Sequence, residues 1–189
     1  MIKTKYLRRH FIEQAVYKFK PYGKILEIGS GDKLRYYKNS ITLNRDESTN
    51  PDILGDAEDM KFENDAFDFI VCLEVLEHTK SPEKIINEIY RCLKPNGKLL
   101  LSVPFVFEIH ATPDYYRFTR YGIEHLLRNF RNVNIENNGG KYCVIFHFMR
   151  LNLIGRLTYY ILNNLGYFMD YIIPAKPIIT LGYTVTAEK

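Results

Sequence analysis

The run FDFIVCLE at 67–74 constrains the fold more than any other stretch. It is apolar almost throughout, the pattern of a central parallel strand covered on both faces. KILEIG at 24–29 and KLLLSVPF at 98–105 predict two further buried strands, and ITLN at 41–44 another. Pro51 opens a short one, DILGD. Between the fourth and fifth of these, SPEKIINEIYRCL at 81–93 predicts a helix. Ser81 can cap it, Pro82 suits its first turn and Glu83 favours its positive end. Ile85, Ile86, Ile89, Tyr90 and Leu93 make its buried face. Pro95-Asn96-Gly97 predicts a sharp turn.

At the start, TKYLRRHFIEQAVYKF (4–19) predicts a helix. Leu7, Phe11, Ala15 and Phe19 recur every four residues, Ile12 and Val16 widen the stripe, and Pro21 and Gly23 end it. Residues 33–38 allow only a short helix. YGIEHLLRNF at 121–130 predicts another helix, and VNIEN and TLGYTVTAE a final strand pair. Alternating strand and helix is the pattern of a doubly wound α/β sheet.

Composition narrows the class. A chain of 189 residues fits one domain, spanning 1–189, that can bury a real core. Apolar residues make 46% and charged residues 25%, as in a soluble globular protein. A net charge of +4 permits an anionic partner without demanding one. Cys72, Cys92 and Cys143 form no C-x-x-C pair, which argues against a disulfide framework or zinc knuckle and fits a reducing compartment. The N-terminus carries charges throughout and shows no signal peptide. No run of eighteen apolar residues predicts a spanning helix. The expected location is cytoplasmic.

The exit of the first strand, KILEIGSGD at 24–32, carries the chemistry. Ligands of such sheets sit at the carboxyl ends of the strands. Gly29 and Gly31 permit unusual backbone angles and close approach of ligand atoms. A plain tight turn is the bland reading. A dinucleotide site wants G-x-G-x-x-G, and the third glycine is missing. Glu27 and Asp32 would repel a pyrophosphate and suit a ligand that is cationic at this point. S-adenosylmethionine, with its ammonium and sulfonium, is such a ligand.

E-x-G-x-G after an apolar strand resembles motif I of the class I S-adenosylmethionine-dependent methyltransferases. Leu54 to Phe105 is similar to the small-molecule, type 11-like branch: an acid before F-D-x-hydrophobic, then L-E-H, then E-I-x-R-x-L-K-P-x-G. The resemblance covers roughly residues 23–130. It implies a Rossmann-like seven-stranded sheet, mostly parallel with an antiparallel last strand, in the order 3-2-1-4-5-7-6. It implies S-adenosyl-L-methionine as cofactor. Glu27, Gly29, Ser30 and Gly31 would line its methionine end. Asp56 and Ala57 match the position that reads adenine, and Leu73 and Glu74 lie beside the sulfonium region. Two departures stand out. Lys33 replaces the usual third glycine. The second strand ends Leu43-Asn44-Arg45-Asp46, so Asn44 takes the place of the acid that usually grips the ribose, with Asp46 in reach from the loop. The helix usual after that strand is missing.

Methyl transfer needs a base only when the nucleophile holds its proton tightly. His78 follows the fourth strand and His110 the fifth. A lone histidine more often packs as structure. His110, with Asp114, Tyr115, Tyr116 and Arg117 close behind, lies in a loop at the ligand end, in a P-D-Y-Y-R-F-T string that recurs in a subset of small methyltransferases. His110 is therefore the expected catalytic residue. His78, His110, Tyr115, Tyr116 and Arg117 are the expected acceptor contacts. Arg117 either clamps an anion or pairs with Asp114. The five histidines show no H-x-x-x-H or carboxylate-flanked pattern, so no metal is expected. Scattered basic residues give no nucleic-acid stripe.

An apolar insertion at about 140–176 interrupts the final strands; YCVIFHFMRLNLIGRLTYYILNNLGYFMDYII at 142–173 carries only Arg150, Arg156 and Asp170 as charges. It reads as extra core packing, as a lid, or as an interfacial element touching the inner membrane surface. The sequence thus predicts a methyltransferase acting on a small-molecule or lipid-linked glycan acceptor, at oxygen. The rival is a non-catalytic scaffold with this fold; a nicotinamide dehydrogenase is a poorer third reading.

Overall fold

The computed structural model describes residues 7–31, 34–151, 156–173 and 179–189, without the side chains of 150–151 and 156–160. Asp32, Lys33 and residues 1–6, 152–155 and 174–176 of the readings above lie outside the described residues. The elements are α1 (Leu7–Lys18), β1 (Ile25–Ile28), β2 (Ser40–Asn44), β3 (Ile53–Leu54), β4 (Phe67–Leu73), α2 (Pro82–Cys92), β5 (Leu93–Pro104), α3 (Arg120–Leu126), β6 (Arg131–Asn137), α4 (Lys141–Leu151), α5 (Arg156–Ile172) and β7 (Gly182–Glu188). One-turn 3-10 helices follow β2 at Glu47–Thr49 and β4 at Leu76–His78.

Seven strands form one sheet in the order β3-β2-β1-β4-β5-β7-β6. β3 through β5 pair in parallel; β7 runs antiparallel between β5 and β6. The central strands are apolar on both faces because both faces are covered. Leu26, Ile28, Ile70, Cys72, Leu99 and Leu101 join the core under α2 and α3. Their alternate neighbours Ile25, Phe69, Val71 and Leu100 pack with Ala15, Val16 and Phe19 of α1 and the residue after it. Cys143 and Val144 of α4 extend that second face against Leu7. All three cysteines are buried and free.

Of the 33–38 stretch, Leu34 is in a 3-10 turn, and residues 36–38 form bends and a turn where the buried Glu27 carboxylate takes the main-chain N–H groups of Tyr36 and Tyr37 at 3.0 and 2.9 Å. Two local expectations are corrected. Ser81 makes no side-chain cap, though Pro82 does begin α2. Pro95-Asn96-Gly97 lies within β5 as a bulge: Phe67 pairs with Leu93 and Phe69 with Lys98, so Asp68 alone opposes Lys94–Gly97.

Asp68 fastens that bulge. Its carboxylate accepts from the Lys24 main-chain N–H at 2.8 Å and from Lys94 Nζ at 2.8 and 2.9 Å. The bond from Lys94, then that from Lys24, holds its carboxyl below the usual range. This stabilisation is complete above the unfolded carboxyl value near 3.9 and is lost as pH falls through the lower folded value. Lys94 is half exposed, so the expected cost of Asp68→Asn at pH 7 is only about 1 kcal/mol. Urea unfolding should show that gap at pH 7 and a narrower one at pH 3.

Candidate functional site

Both glycines of the first turn are required by the protein's own atoms. Gly29 has φ +76°, and a Cβ there would lie 2.4 Å from Val75 Cγ2. A Cβ on Gly31 would lie 2.1 Å from the Thr49 carbonyl oxygen. The turn is therefore gripped between the loop after β2 and the exit of β4, and the Leu34 main-chain N–H donates back to the Gly31 carbonyl at 3.0 Å.

A cavity of about 220 Å³ opens beside it, at the carboxyl ends of β1, β2 and β4. Gly29, Asn44, Asp56, Ala57, Glu74 and His78 are among its lining residues. Asn44 Oδ1 accepts from the Asp46 main-chain N–H, and Asp56 Oδ1 from that of Glu58, at 3.1 and 2.8 Å. Arg45 also lines the cavity and donates to the His78 carbonyl at 3.3 Å. Four of the expected cofactor residues do not line it. Glu27 is spent on Tyr36, Tyr37 and Ser40. Ser30 is buried, Gly31 faces Thr49, and Leu73 packs toward the α1 face.

A second cavity, about 440 Å³, lies beyond Glu74 and is lined by Arg8, Arg9, Ile12, Glu74, Phe107, Glu108, Ile109 and His110. Glu74 belongs to both cavities. Its backbone is left-handed, φ +59°, a conformation that a non-glycine residue rarely adopts and that turns it out of the strand end. Its carboxylate is held by an ion pair with Arg8 and accepts from Ser102 Oγ at 2.7 Å. The Arg8 guanidinium in turn lies over the Phe107 ring, 3.8 Å from its centroid.

Between the cavities sits a group that sequence reasoning missed. Glu77 is fully buried, and among the described residues neither carboxylate oxygen has a hydrogen-bond partner. Burial, then repulsion from Glu74, pushes its carboxyl up to about 8. His78 Nε2 and His110 Nε2 lie 3.8 and 3.7 Å from Glu77 Oε1. Burial, then the charge on Arg8, lowers the His110 pKa. The signal in the sequence was Glu74-x-x-Glu77-His78, three polar groups in five residues leaving a buried strand.

The loop after β5 is pinned in place. Arg117 holds Asp114 in a bidentate pair at 2.6 and 2.7 Å and donates to the carbonyls of Phe107 and Glu108. Of its two expected roles, the geometry provides the pairing one. That pair holds the Asp114 carboxyl down at about 2. Tyr115 is exposed, and its main-chain N–H donates to the Glu77 carbonyl at 2.7 Å. The Tyr116 hydroxyl donates to the Lys80 carbonyl at 2.9 Å. Neither tyrosine lines a cavity described above.

Residues 33–101 match a family model described as a methyltransferase domain. Over 72 residues the chain is 38% identical to a ubiquinone biosynthesis O-methyltransferase of Pseudomonas savastanoi; that is 38% of this chain and 29% of the relative. The chain thus spans under a third of the curated relative it matches. In structure it is similar to a S-adenosylmethionine-dependent methyltransferase from Archaeoglobus fulgidus, with TM-score 0.62 and 14% identity over 96% of this chain and 94% of the other. A phosphoethanolamine N-methyltransferase of Haemonchus contortus, solved with S-adenosyl-L-methionine, gives 0.58 and 20% over 95% and 52%. Residues 33–101 are thus similar to a methyltransferase domain, and the fold is the one these solved methyltransferases share.

Proposed function

We propose that this chain transfers a methyl group from S-adenosylmethionine to the hydroxyl of a small-molecule acceptor. The observation that carries the reading is the meeting of two cavities at Glu74, one at the glycine turn and one under His110. In the first, the main chain around Gly29 takes the methionine end, with Glu27, Ser30 and Gly31 shaping the turn behind it. Asn44 serves the ribose, Asp56 the adenine amine, Ala57 the adenine face, and Glu74 the cationic end, with Leu73 behind it. The second cavity takes the acceptor. His78 and His110 stand between the two; Tyr115, Tyr116 and Arg117 hold the loop that walls it.

The cofactor supplies an activated methyl, and the protein supplies alignment and exclusion of water. The acceptor oxygen forms the new C–O bond as the S–C bond breaks, and the electron pair of that bond returns to sulfur. The hydroxyl proton must leave, and His110 is placed to assist its loss. Incubation with tritiated S-adenosylmethionine and a panel of phenols and sugars should label at least one acceptor, and His110→Ala should slow labelling about 100-fold. Cofactor bound without any transfer would favour the scaffold.

The α4–α5 face favours a second reading, a lipid-linked glycan acceptor reached at the inner membrane surface. Ile161, Phe168, Tyr171, Ile172 and Ile173 are exposed, while Cys143 and His147 bury α4 against the fold. Among the described residues, no helix is long and apolar enough to cross a membrane. Sedimentation with anionic liposomes, weakened in Phe168→Asp, supports this reading; a protein left in the supernatant opposes it.

A further inference from the structure

Glu77, His78 and His110 offer one ligand atom each, and those atoms all lie within 4.8 Å of one another. They come from two segments, the one-turn helix after β4 and the loop after β5. The carboxylate is the element that demands explanation. It is wholly buried, and among the described residues its two oxygens meet no donor, a costly arrangement unless the carboxyl is protonated or a positive charge fills the space. Arg8, nearby, is already paired with Glu74.

The two imidazoles are turned to serve that charge. His78 Nδ1 lies 2.7 Å from the Pro113 carbonyl oxygen, which can only accept, so Nδ1 carries the proton. Nε2, where the neutral ring carries its lone pair, then faces Glu77. His110 repeats the pattern with a carboxylate: Nδ1 lies 3.4 Å from Asp114 Oδ2, and Nε2 points toward Glu77. Arg117 fixes Asp114 in turn. An acceptor on one ring nitrogen and an open lone pair on the other is the arrangement that orients metal-binding histidines.

We propose that Glu77, His78 and His110 bind a divalent first-row metal ion. Such an ion, with bonds of about 2.1 Å, spaces neighbouring donors roughly 3.0–3.5 Å apart, so the observed 3.7 and 3.8 Å close by about 0.2–0.8 Å on binding, and the two imidazole nitrogens, within 4.8 Å of each other, draw together as well. Two imidazoles and one carboxylate suit manganese, iron or zinc and leave coordination positions open. His78 lines the first cavity and His110 the second, so the open positions lie where the acceptor meets the cofactor. This deepens the proposed function and rests on it for the ion's role: a hydroxyl bound to the ion gives up its proton to water more readily, and His110 acts by holding the ion. The regular spacings sought in the sequence miss the site because its histidines come from separate loops.

The test uses the full chain, untagged and stripped with EDTA. Titration with Mn²⁺, read by the paramagnetic resonance of the free ion, should show one site with a Kd below about 100 μM, and Zn²⁺ should compete for it. Glu77→Gln and His110→Ala should each weaken binding about 30-fold or more while keeping the wild-type circular dichroism. If Glu77→Gln does not fold, His110→Ala, on the surface loop, decides. No binding up to about 1 mM, or binding that these variants leave unchanged, overturns the site. Titration of the same EDTA-treated protein with S-adenosylhomocysteine separates the two claims. Cofactor binding without metal binding sinks the metal site alone; metal binding without cofactor binding leaves the site and sinks the methyltransferase reading.

Discussion

Replacing Gly29 with alanine is expected to destabilise the protein by roughly 2–5 kcal/mol, out of a total that for most domains is about 5–15 kcal/mol. Two costs combine. A side chain at φ +76° costs about 1–2 kcal/mol in the left-handed region. The new Cβ would also lie 2.4 Å from Val75 Cγ2, and relieving that overlap costs about 1–3 kcal/mol. Val75→Ala in the Gly29→Ala background removes the contact and should recover the second cost but not the first. Urea unfolding of the four proteins in this cycle measures both. A Gly29→Ala protein as stable as wild type would mean that the turn is not held against the β4 exit as described.

Arg8→Met is expected to cost about 3–5 kcal/mol, the usual penalty for leaving one member of a buried ion pair alone. Arg8 is 5% exposed, pairs with Glu74 and covers Phe107. Arg8→Lys should restore only part of the loss, because an ammonium lacks the flat guanidinium that stacks on the ring. Adding Glu74→Gln to Arg8→Met removes the stranded charge and should return stability toward wild type. If the double variant is no better than Arg8→Met, the loss comes from packing on Phe107 and the pair contributes little.

These two residues also mark where sequence reading ends. The central strands were legible because each is buried on both faces, so FDFIVCLE and KLLLSVPF stand out as continuous apolar runs; their order in the sheet was implied by the resemblance. The position of β7 came from the resemblance to a family. Helix α2 was legible in its apolar spacing, yet its Ser81 cap did not form. After Leu34 the chain bends because a carboxylate in β1 captures the N–H groups of Tyr36 and Tyr37, a contact that local propensity cannot encode. Arg8 drew no reading from the sequence; only the fold brings it to Glu74. The glycine turn drew attention to a ligand, and both glycines prove to be needed by Val75 and Thr49 as well. Glu77, lodged between two loops, carries its meaning only once His78 and His110 are seen around it.

The most direct test of the central claim is a calorimetric titration with S-adenosylhomocysteine, with NAD as control and Asp56→Ala as the variant. Asp56 lines the cavity, and its exchange should weaken binding about 10–100-fold, the value of one or two lost hydrogen bonds to a charged acceptor. The account predicts micromolar binding of S-adenosylhomocysteine, weakened in the variant, and none of NAD. Absence of binding, or binding indifferent to Asp56, would contradict it.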